Sequence, residues 1–221
     1  MNLECLKTIF RGIWQRHRRN WYRREKTMDR HIRQIRSVVS EFNTREDGEA
    51  LSIEGYFAVF NSTYNIMPGM SESVAPGAFT DTISGDVRAL INHDTGLVLG
   101  RTKAGTLTLR QDERGLWGHI DINPDDSDAM NLYARVKRHD VDQCSFGFDI
   151  LDEETEARED GSVHWTIKKV ELYEVSVCTF PAYEETSVNA RKKDADTIRA
   201  RQTEVWKLDM KKKLKGGSES C

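Results

Sequence analysis

Alternation of apolar and polar residues is the main pattern between residue 32 and about residue 183. A period of two places successive side chains on opposite faces of a β-strand. Segments 106–110 (TLTLR) and 116–122 (LWGHIDI), with Gly115 near the turn, predict a β-hairpin. Segment 51–60 (LSIEGYFAVF), rich in β-branched and aromatic residues, predicts another strand. Further strands are predicted at 32–38, 87–92, 97–101, 141–150, 163–170 and 172–179.

The period changes to that of a helix in one place. Apolar residues there fall at i, i+3, i+4 and i+7, which is one face of an α-helix. Asn123 or Ser127 is the predicted cap of this helix, and segment 76–83 is a candidate for a second, short one. The predicted fold class is therefore mainly β with a few helices (α+β). The residues of the helical face are Ala129, Leu132, Tyr133 and Val136.

The near-neutral net charge of −3 hides an acidic body between basic ends. Residues 37–183 contain 12 Lys/Arg and 26 Asp/Glu, whereas residues 1–36 contain 11 and 3, and residues 184–221 contain 10 and 7. An acidic body argues against nucleic acid as the main ligand of the domain. It is compatible with basic peptide substrates.

Composition predicts three parts of the chain. Residues 1–27 are basic and aromatic, and we predict a disordered extension, the one segment for which nucleic-acid binding stays open. Residues 28–185 are the predicted folded domain. Residues 186–221 are highly charged and end in a Gly-Gly-Ser segment, so we predict a mobile C-terminal tail, with a weak helix as the alternative.

Several classes of function lack support in the sequence. The four cysteines, Cys5, Cys144, Cys178 and Cys221, show no CxxC spacing, which favours a reducing compartment over a disulfide scaffold or zinc site. The histidines lack metal-ligand spacing, and no phosphate-binding glycine motif occurs, so we predict no metal and no cofactor. No apolar run is long enough to span a membrane, and membrane association is not predicted.

Ser145 is the first candidate for chemistry. In an extended strand Cys144, Phe146 and Phe148 would point into the core, and Ser145 and Gly147 would point the other way. Gly147 would leave room beside the hydroxyl for a substrate backbone. The ordinary interpretation is an outward serine on a half-buried strand, and the functional interpretation is a nucleophile. Cys144 is a weaker candidate because it shares the apolar face.

His93 and Glu174 could supply the other parts of a nucleophilic hydrolase. Alternation puts His93 on the same face as Ile91, at the edge of the core, where a lone histidine is usually structural. A general base also needs a partner that fixes its tautomer. Asp94 would face the other way, whereas Glu174 lies in the middle of a strand, on the predicted face of Leu172 and Ser176. A buried carboxylate at that position needs a partner.

Six motifs, in this order along the chain, resemble the HK97-like prohead protease family of tailed bacteriophages. The similarity extends from about Ile32 to Tyr183, and the motifs are specific together although each is weak alone. They are 55–61 (GYFAVFN), 72–79 (ESVAPGAF), 92–94 (NHD), 99–102 (LGRT), 144–148 (CSFGF) and 174–183 (EVSVCTFPAY).

The resemblance implies a serine endopeptidase with Ser145 as nucleophile, His93 as base and Glu174 as the third residue. It implies a compact, mostly antiparallel β-barrel like that of the herpesvirus assemblin proteases, with residues 28–185 as the prohead protease domain. The expected partner is the major capsid protein with its scaffolding region, cleaved together with the protease itself inside the procapsid in the host cytoplasm. A homo-oligomer stays open. The alternative is a catalytically inactive capsid-assembly or scaffold-binding protein with the same fold.

Overall fold

The computed structural model describes residues 34–39, 42–47, 50–180 and 185–216, and the predicted extension 1–27 lies outside them. The described residues contain eleven strands, a short 3-10 helix and two α-helices. The strands are β1 Gln34–Val39, β2 Asn43–Asp47, β3 Ala50–Val59, β4 Tyr64–Met67, β5 Met70–Val74, β6 Arg88–Ile91, β7 Asp94–Arg101, β8 Leu107–Gln111, β9 Gly115–Ile122, β10 Gln143–Ala157 and β11 Val163–Cys178. The helices are the 3-10 helix Thr102–Ala104, α1 Ser127–Lys137 and α2 Glu185–Gly216.

The strands form two sheets. The larger has the order β1-β10-β11-β5-β4, and β6 with its neighbour β7 also joins β11. The long strand β11 pairs in parallel with β5 along 163–167 and with β6 along 174–177. The smaller sheet has the order β2-β3-β9-β8 and contains the predicted hairpin. The described part of the chain is therefore mostly β with two α-helices, as predicted, but its sheets do not close into a barrel, so the predicted barrel is not confirmed.

The core side of β10 is the one that its alternation predicts. Cys144, Phe146 and Phe148 are buried in the main apolar cluster. The rings of Phe146 and Phe148 stack with centroids 4.8 Å apart, and Phe79 meets Phe146 edge-on at 5.5 Å. Such offset and edge-to-face contacts add to the free energy gained by burying the rings. This aromatic packing fixes the strand that carries Ser145.

Local turn chemistry differs from two of the predictions. Helix α1 buries the predicted face, but its N-cap is Asp126, not Asn123 or Ser127. The Asp126 carboxylate accepts hydrogen bonds from the backbone N–H groups of Asp128 and Ala129, two donors without a partner inside the helix. The short helix predicted at 76–83 is absent. Successive turns replace it, and Gly77 has a positive φ of 88° that a helix cannot contain.

Helix α2 covers most of the segment predicted as a mobile tail. Arg191 is 5% exposed and Ala195 is fully buried, so this part of the helix packs on the sheet. The Arg191 guanidinium lies 4.8 Å from the centroid of the Trp165 ring. Within the described residues, no helix has the length and apolar character needed to cross a membrane. The mobility of 186–221 remains a prediction.

A buried carboxylate connects the first strand with the beginning of the C-terminal helix. Glu72 on β5 is 1% exposed and forms ion pairs with Arg36 of β1 and Arg191 of α2. Arg191 also pairs with Glu153 of β10 at 2.8 Å. Burial alone would raise the pKa of Glu72, but the two arginines outweigh it and lower the pKa below its usual range. The network therefore holds an ionised carboxylate inside the protein.

Replacing Glu72 with Gln should destabilise the fold by about 3–5 kcal/mol, because two arginines then stay buried with one partner fewer. Since the pKa of Glu72 is lowered by folding, its contribution is complete above the pKa of the unfolded chain, about 4.3, and is lost as the pH falls through the folded value. Urea denaturation of both proteins between pH 7 and pH 3 measures this difference.

Glu154→Gln is the matched control. Glu154 also pairs with a cation, Lys168, but its side chain is 65% exposed, and water screens such a pair. This variant should unfold close to the wild type at every pH. An equally small effect for Glu72→Gln would contradict a stabilising role for the buried network.

Candidate active site

His93 lies in a two-residue turn between β6 and β7. Ile91 pairs with Asp94, which leaves Asn92 and His93 as the central residues of the hairpin. Both have positive φ, 51° for Asn92 and 63° for His93. Such a turn follows the twist of the flanking strands, but asparagine and glycine are its usual residues. A histidine held in this conformation is an uncommon feature that often marks a functional site.

Three hydrogen bonds attach this turn to the end of β11. The backbone N–H of Asn92 donates to the carbonyl of Val177 at 3.1 Å, and the Asn92 Oδ1 accepts from the N–H of Thr179 at 2.9 Å. The N–H of His93 donates to the Ser176 hydroxyl at 3.2 Å. The turn therefore brings motif 92–94 against motif 174–183.

The turn also changes the face on which the imidazole lies. Continued alternation would have placed His93 with Ile91 at the edge of the core, which is the position predicted from the sequence. In the structure its ring instead lies on the face of β11 that points away from the main apolar core. There His93 Nδ1 lies 2.8 Å from Oε1 of Glu174. That expectation for the face of His93 is therefore wrong.

Glu174 and His93 form a buried acid–imidazole pair. The side chain of Glu174 is 1% exposed, and that of His93 is 14% exposed. An ionised carboxylate only accepts hydrogen bonds, so Nδ1 carries the proton in this pair. A neutral His93 then presents Nε2 as an acceptor, the arrangement needed to remove a proton from a hydroxyl.

A bulge in β11 puts Glu174 on this face. Gly147 pairs with Glu174, but the next residue of β10, Phe148, pairs with Leu172, so Tyr173 is an extra residue in the ladder. Because of the bulge, Leu172 points into the main core while Glu174 points the other way. The prediction that Leu172 and Glu174 share a face is therefore wrong, and the contact of His93 Nδ1 with the Glu174 carboxylate depends on this bulge.

Ser145 lies on the neighbouring strand, opposite Ser176 in the register of β10 and β11. It is fully buried, which differs from the outward position expected for it. Its hydroxyl donates to the backbone carbonyl of Arg36 on β1 at 2.7 Å. The three predicted site residues thus lie on β10, on β11 and in the turn between β6 and β7. His93 and Glu174 are in contact, and the hydroxyl of Ser145 is turned toward β1.

Cys178 lies beside His93 Nε2, a position that no motif or spacing in the sequence indicated. Its Sγ lies 3.7 Å from Nε2. Burial, with a further contribution from the Glu174 charge, raises the pKa of this thiol to about 12. The thiol is therefore protonated at neutral pH, which is unfavourable for a cysteine nucleophile.

The 99–102 motif positions the hairpin that carries His93. Arg101 donates to both carboxylate oxygens of Asp86, at 2.7 and 2.6 Å, and lowers the Asp86 pKa. Thr102 accepts from the N–H of Val87 and donates to the carbonyl of Gly85. These contacts fix the chain just before β6. Within the described residues, no three His, Cys, Asp or Glu side chains lie together as a metal site.

Two comparisons with known proteins agree with each other. A family model described as caudovirus prohead serine protease matches residues 39–201. The chain is also 30% identical over 174 residues to a protein named prohead protease from Enterobacteria phage HK97, covering 77% of this chain and 73% of the relative. No solved structure showed a significant match.

The conformation of the turn can be tested apart from any activity. His93→Asn and His93→Val both remove the imidazole, but only asparagine readily adopts a positive φ. We expect the valine variant to be less stable than the asparagine variant by about 1–2 kcal/mol, measured by urea denaturation. Thr95, an exposed strand residue, is the control position. There the asparagine variant should not be more stable than the valine variant. Equal stability of the two His93 variants would contradict the backbone constraint.

Proposed function

The chain belongs to the caudovirus prohead serine protease family and is accordingly a capsid-maturation protease, and we propose that Ser145, His93 and Glu174 are its catalytic residues. The observation that carries this assignment is the contact between His93 Nδ1 and the buried Glu174 carboxylate. These two residues are 81 positions apart in the sequence, and Ser145 lies on the strand next to Glu174. A protein that only binds capsid subunits has no need of such a pair, so we favour the protease over the inactive assembly protein.

In the proposed mechanism the Ser145 hydroxyl turns from the Arg36 carbonyl toward His93. Its Oγ forms a bond to the carbonyl carbon of the substrate peptide while its proton passes to Nε2 of His93. The imidazolium donates that proton to the leaving nitrogen as the C–N bond breaks. Water then hydrolyses the acyl-enzyme, again with His93 as base. Glu174 holds the Nδ1–H tautomer and stabilises the imidazolium charge.

We propose the major capsid protein, including its scaffolding region, as the substrate, with cleavage inside the procapsid in the host cytoplasm. The named relative from phage HK97 supports this setting. The surplus of acidic residues in 37–183 would attract basic substrate segments at moderate salt. The proposed protease domain is 28–185, and we keep its relation in fold to the herpesvirus assemblins as part of this proposal.

Ser145→Ala should abolish cleavage of the matching capsid protein, because losing a nucleophile typically lowers the rate by several orders of magnitude. Co-expression of the two proteins and mass spectrometry of the new termini measure the loss. A fluorophosphonate probe should label the wild type at Ser145 and leave Ser145→Ala unlabelled. Circular dichroism should find the variant folded, since the hydroxyl is small.

Cys178→Ala tests the competing nucleophile. Because the raised pKa keeps this thiol protonated, the variant should still cleave the capsid protein and react with the probe. If a folded Ser145→Ala protein cleaved the capsid protein fully and Cys178→Ala did not cleave it, the nucleophile would be the cysteine. No cleavage by the wild type would favour the inactive assembly protein.

We further propose that the protease cleaves itself. A protease binds an extended peptide, and a segment of the same chain is present at high effective concentration. The part of α2 from Arg191 to Arg199 should resist cleavage, because Arg191 is buried and Arg199 donates to the Gly161 carbonyl. After Arg199 the helix is exposed through Met210.

Purified wild type should therefore shorten from its C-terminus to a product that ends after about residue 199, while Ser145→Ala stays at full length. Mass spectra of both proteins after equal incubation measure this. Equal trimming of the two proteins would indicate a contaminating protease. An unchanged wild type would contradict self-cleavage.

A further inference from the structure

We propose that Ser176 is a positioning residue of this active site, a role that rests on the proposed assignment of His93 and Glu174. Ser176 is fully buried and lies two residues beyond Glu174 on the same face of β11. It is also the direct partner of Ser145 across the two strands. It therefore occupies the centre of the proposed site although the mechanism assigns it no bond to make or break.

The Ser176 hydroxyl joins the acid to the base. It donates to Oε2 of Glu174 at 2.6 Å, while Oε1 of the same carboxylate meets His93 Nδ1 at 2.8 Å. Because each carboxylate oxygen is engaged by a different donor, the group is held against rotation about its last bond. A hydrogen bond to an ionised group is among the stronger ones in proteins.

The same hydroxyl holds the backbone of His93. Its oxygen accepts a hydrogen bond from the backbone N–H of His93 at 3.2 Å. This bond supports the backbone of His93 in its left-handed conformation, with a φ of 63°. Ser176 thus fixes the imidazole from two sides, through the carboxylate at Nδ1 and through the main chain. A hydroxyl is needed for this role because it donates one hydrogen bond and accepts another.

Ser176 is poorly suited to be the nucleophile itself. Its only proton is directed at Glu174, and the imidazole meets that carboxylate through Nδ1, which carries a proton and cannot act as a base. Ser145 has no such restriction, since its hydroxyl binds a neutral carbonyl on β1. The two opposed serines therefore have different roles.

The test compares Ser176→Ala with Ser73→Ala in the full chain. Ser73 is also a buried strand serine, 9% exposed, whose hydroxyl lies 2.9 Å from a histidine ring, that of His164, outside the site. The maximal rate of fluorophosphonate labelling at Ser145 should fall by about 10-fold to 100-fold in Ser176→Ala, the effect of one hydrogen bond to a charged group. The half-saturating probe concentration should change little, and Ser73→Ala should label at the wild-type rate.

A double-mutant cycle separates positioning from stability. Glu174→Gln combined with Ser176→Ala should label clearly faster than the product of the two single losses predicts, because residues that act through one group are not additive. A purely structural role would lower the melting temperature of Ser176→Ala and of the double variant, and its effect on the labelling rate would multiply with that of Glu174→Gln. Wild-type labelling by a folded Ser176→Ala protein would overturn the inference.

An NMR measurement keeps the inference testable if the proposed nucleophile is wrong. The Nδ1–H proton of His93, held by the carboxylate, should give a far-downfield resonance that His93→Asn removes. Ser176→Ala should broaden or shift this resonance, whereas Ser73→Ala should not. If the wild type were not labelled at Ser145, the proposed function would fail, and this resonance would still decide the role of Ser176. An unchanged resonance in Ser176→Ala would overturn that role.

Discussion

The burial of the Glu174 carboxylate is the constraint on which the arrangement of this site depends. A carboxylate in the middle of a buried strand is costly unless donors surround it. Here the donors are a hydroxyl from the same strand and an imidazole from the β6–β7 turn, whose two central residues have positive φ. The β6–β7 turn, the bulge at Tyr173 and the parallel pairing of β6 with β11 all serve to bring these donors to one carboxylate.

A second buried carboxylate in the same sheet has a different kind of partner. Glu72 and Glu174 are both 1% exposed, but Glu72 is paired with two arginines, whose charge is permanent at any ordinary pH. Glu174 is paired with a histidine, whose neutral imidazole can donate one hydrogen bond and accept another. The arginine pair suits a fixed connection between β1, β5 and α2, whereas the histidine pair suits proton transfer.

Strand positions and the apolar face of β10 could be predicted from the period of two, and motif resemblance selected His93 and Ser145. The turn at Asn92 and the bulge at Tyr173 could not, because alternation assumes an unbroken strand and each of these features moves a side chain to the other face. The docking of α2 was missed for another reason. Arg191 lies in a charged segment, and only the distant residues Glu72 and Trp165 make its burial favourable.

The proposed mechanism requires one exchange of hydrogen bonds. In the structure Ser145 donates to the Arg36 carbonyl, and catalysis needs the same proton directed at His93 Nε2. Exchanging one hydrogen bond for another costs little, since the net contribution of each to stability is about 1 kcal/mol. The Arg36 side chain forms an ion pair with Glu72, and so does Arg191 of α2. The strand whose carbonyl accepts the Ser145 hydrogen bond is therefore connected to the C-terminal helix through Glu72. The position of the proposed nucleophile and the docking of α2 are therefore linked through one buried carboxylate, that of Glu72.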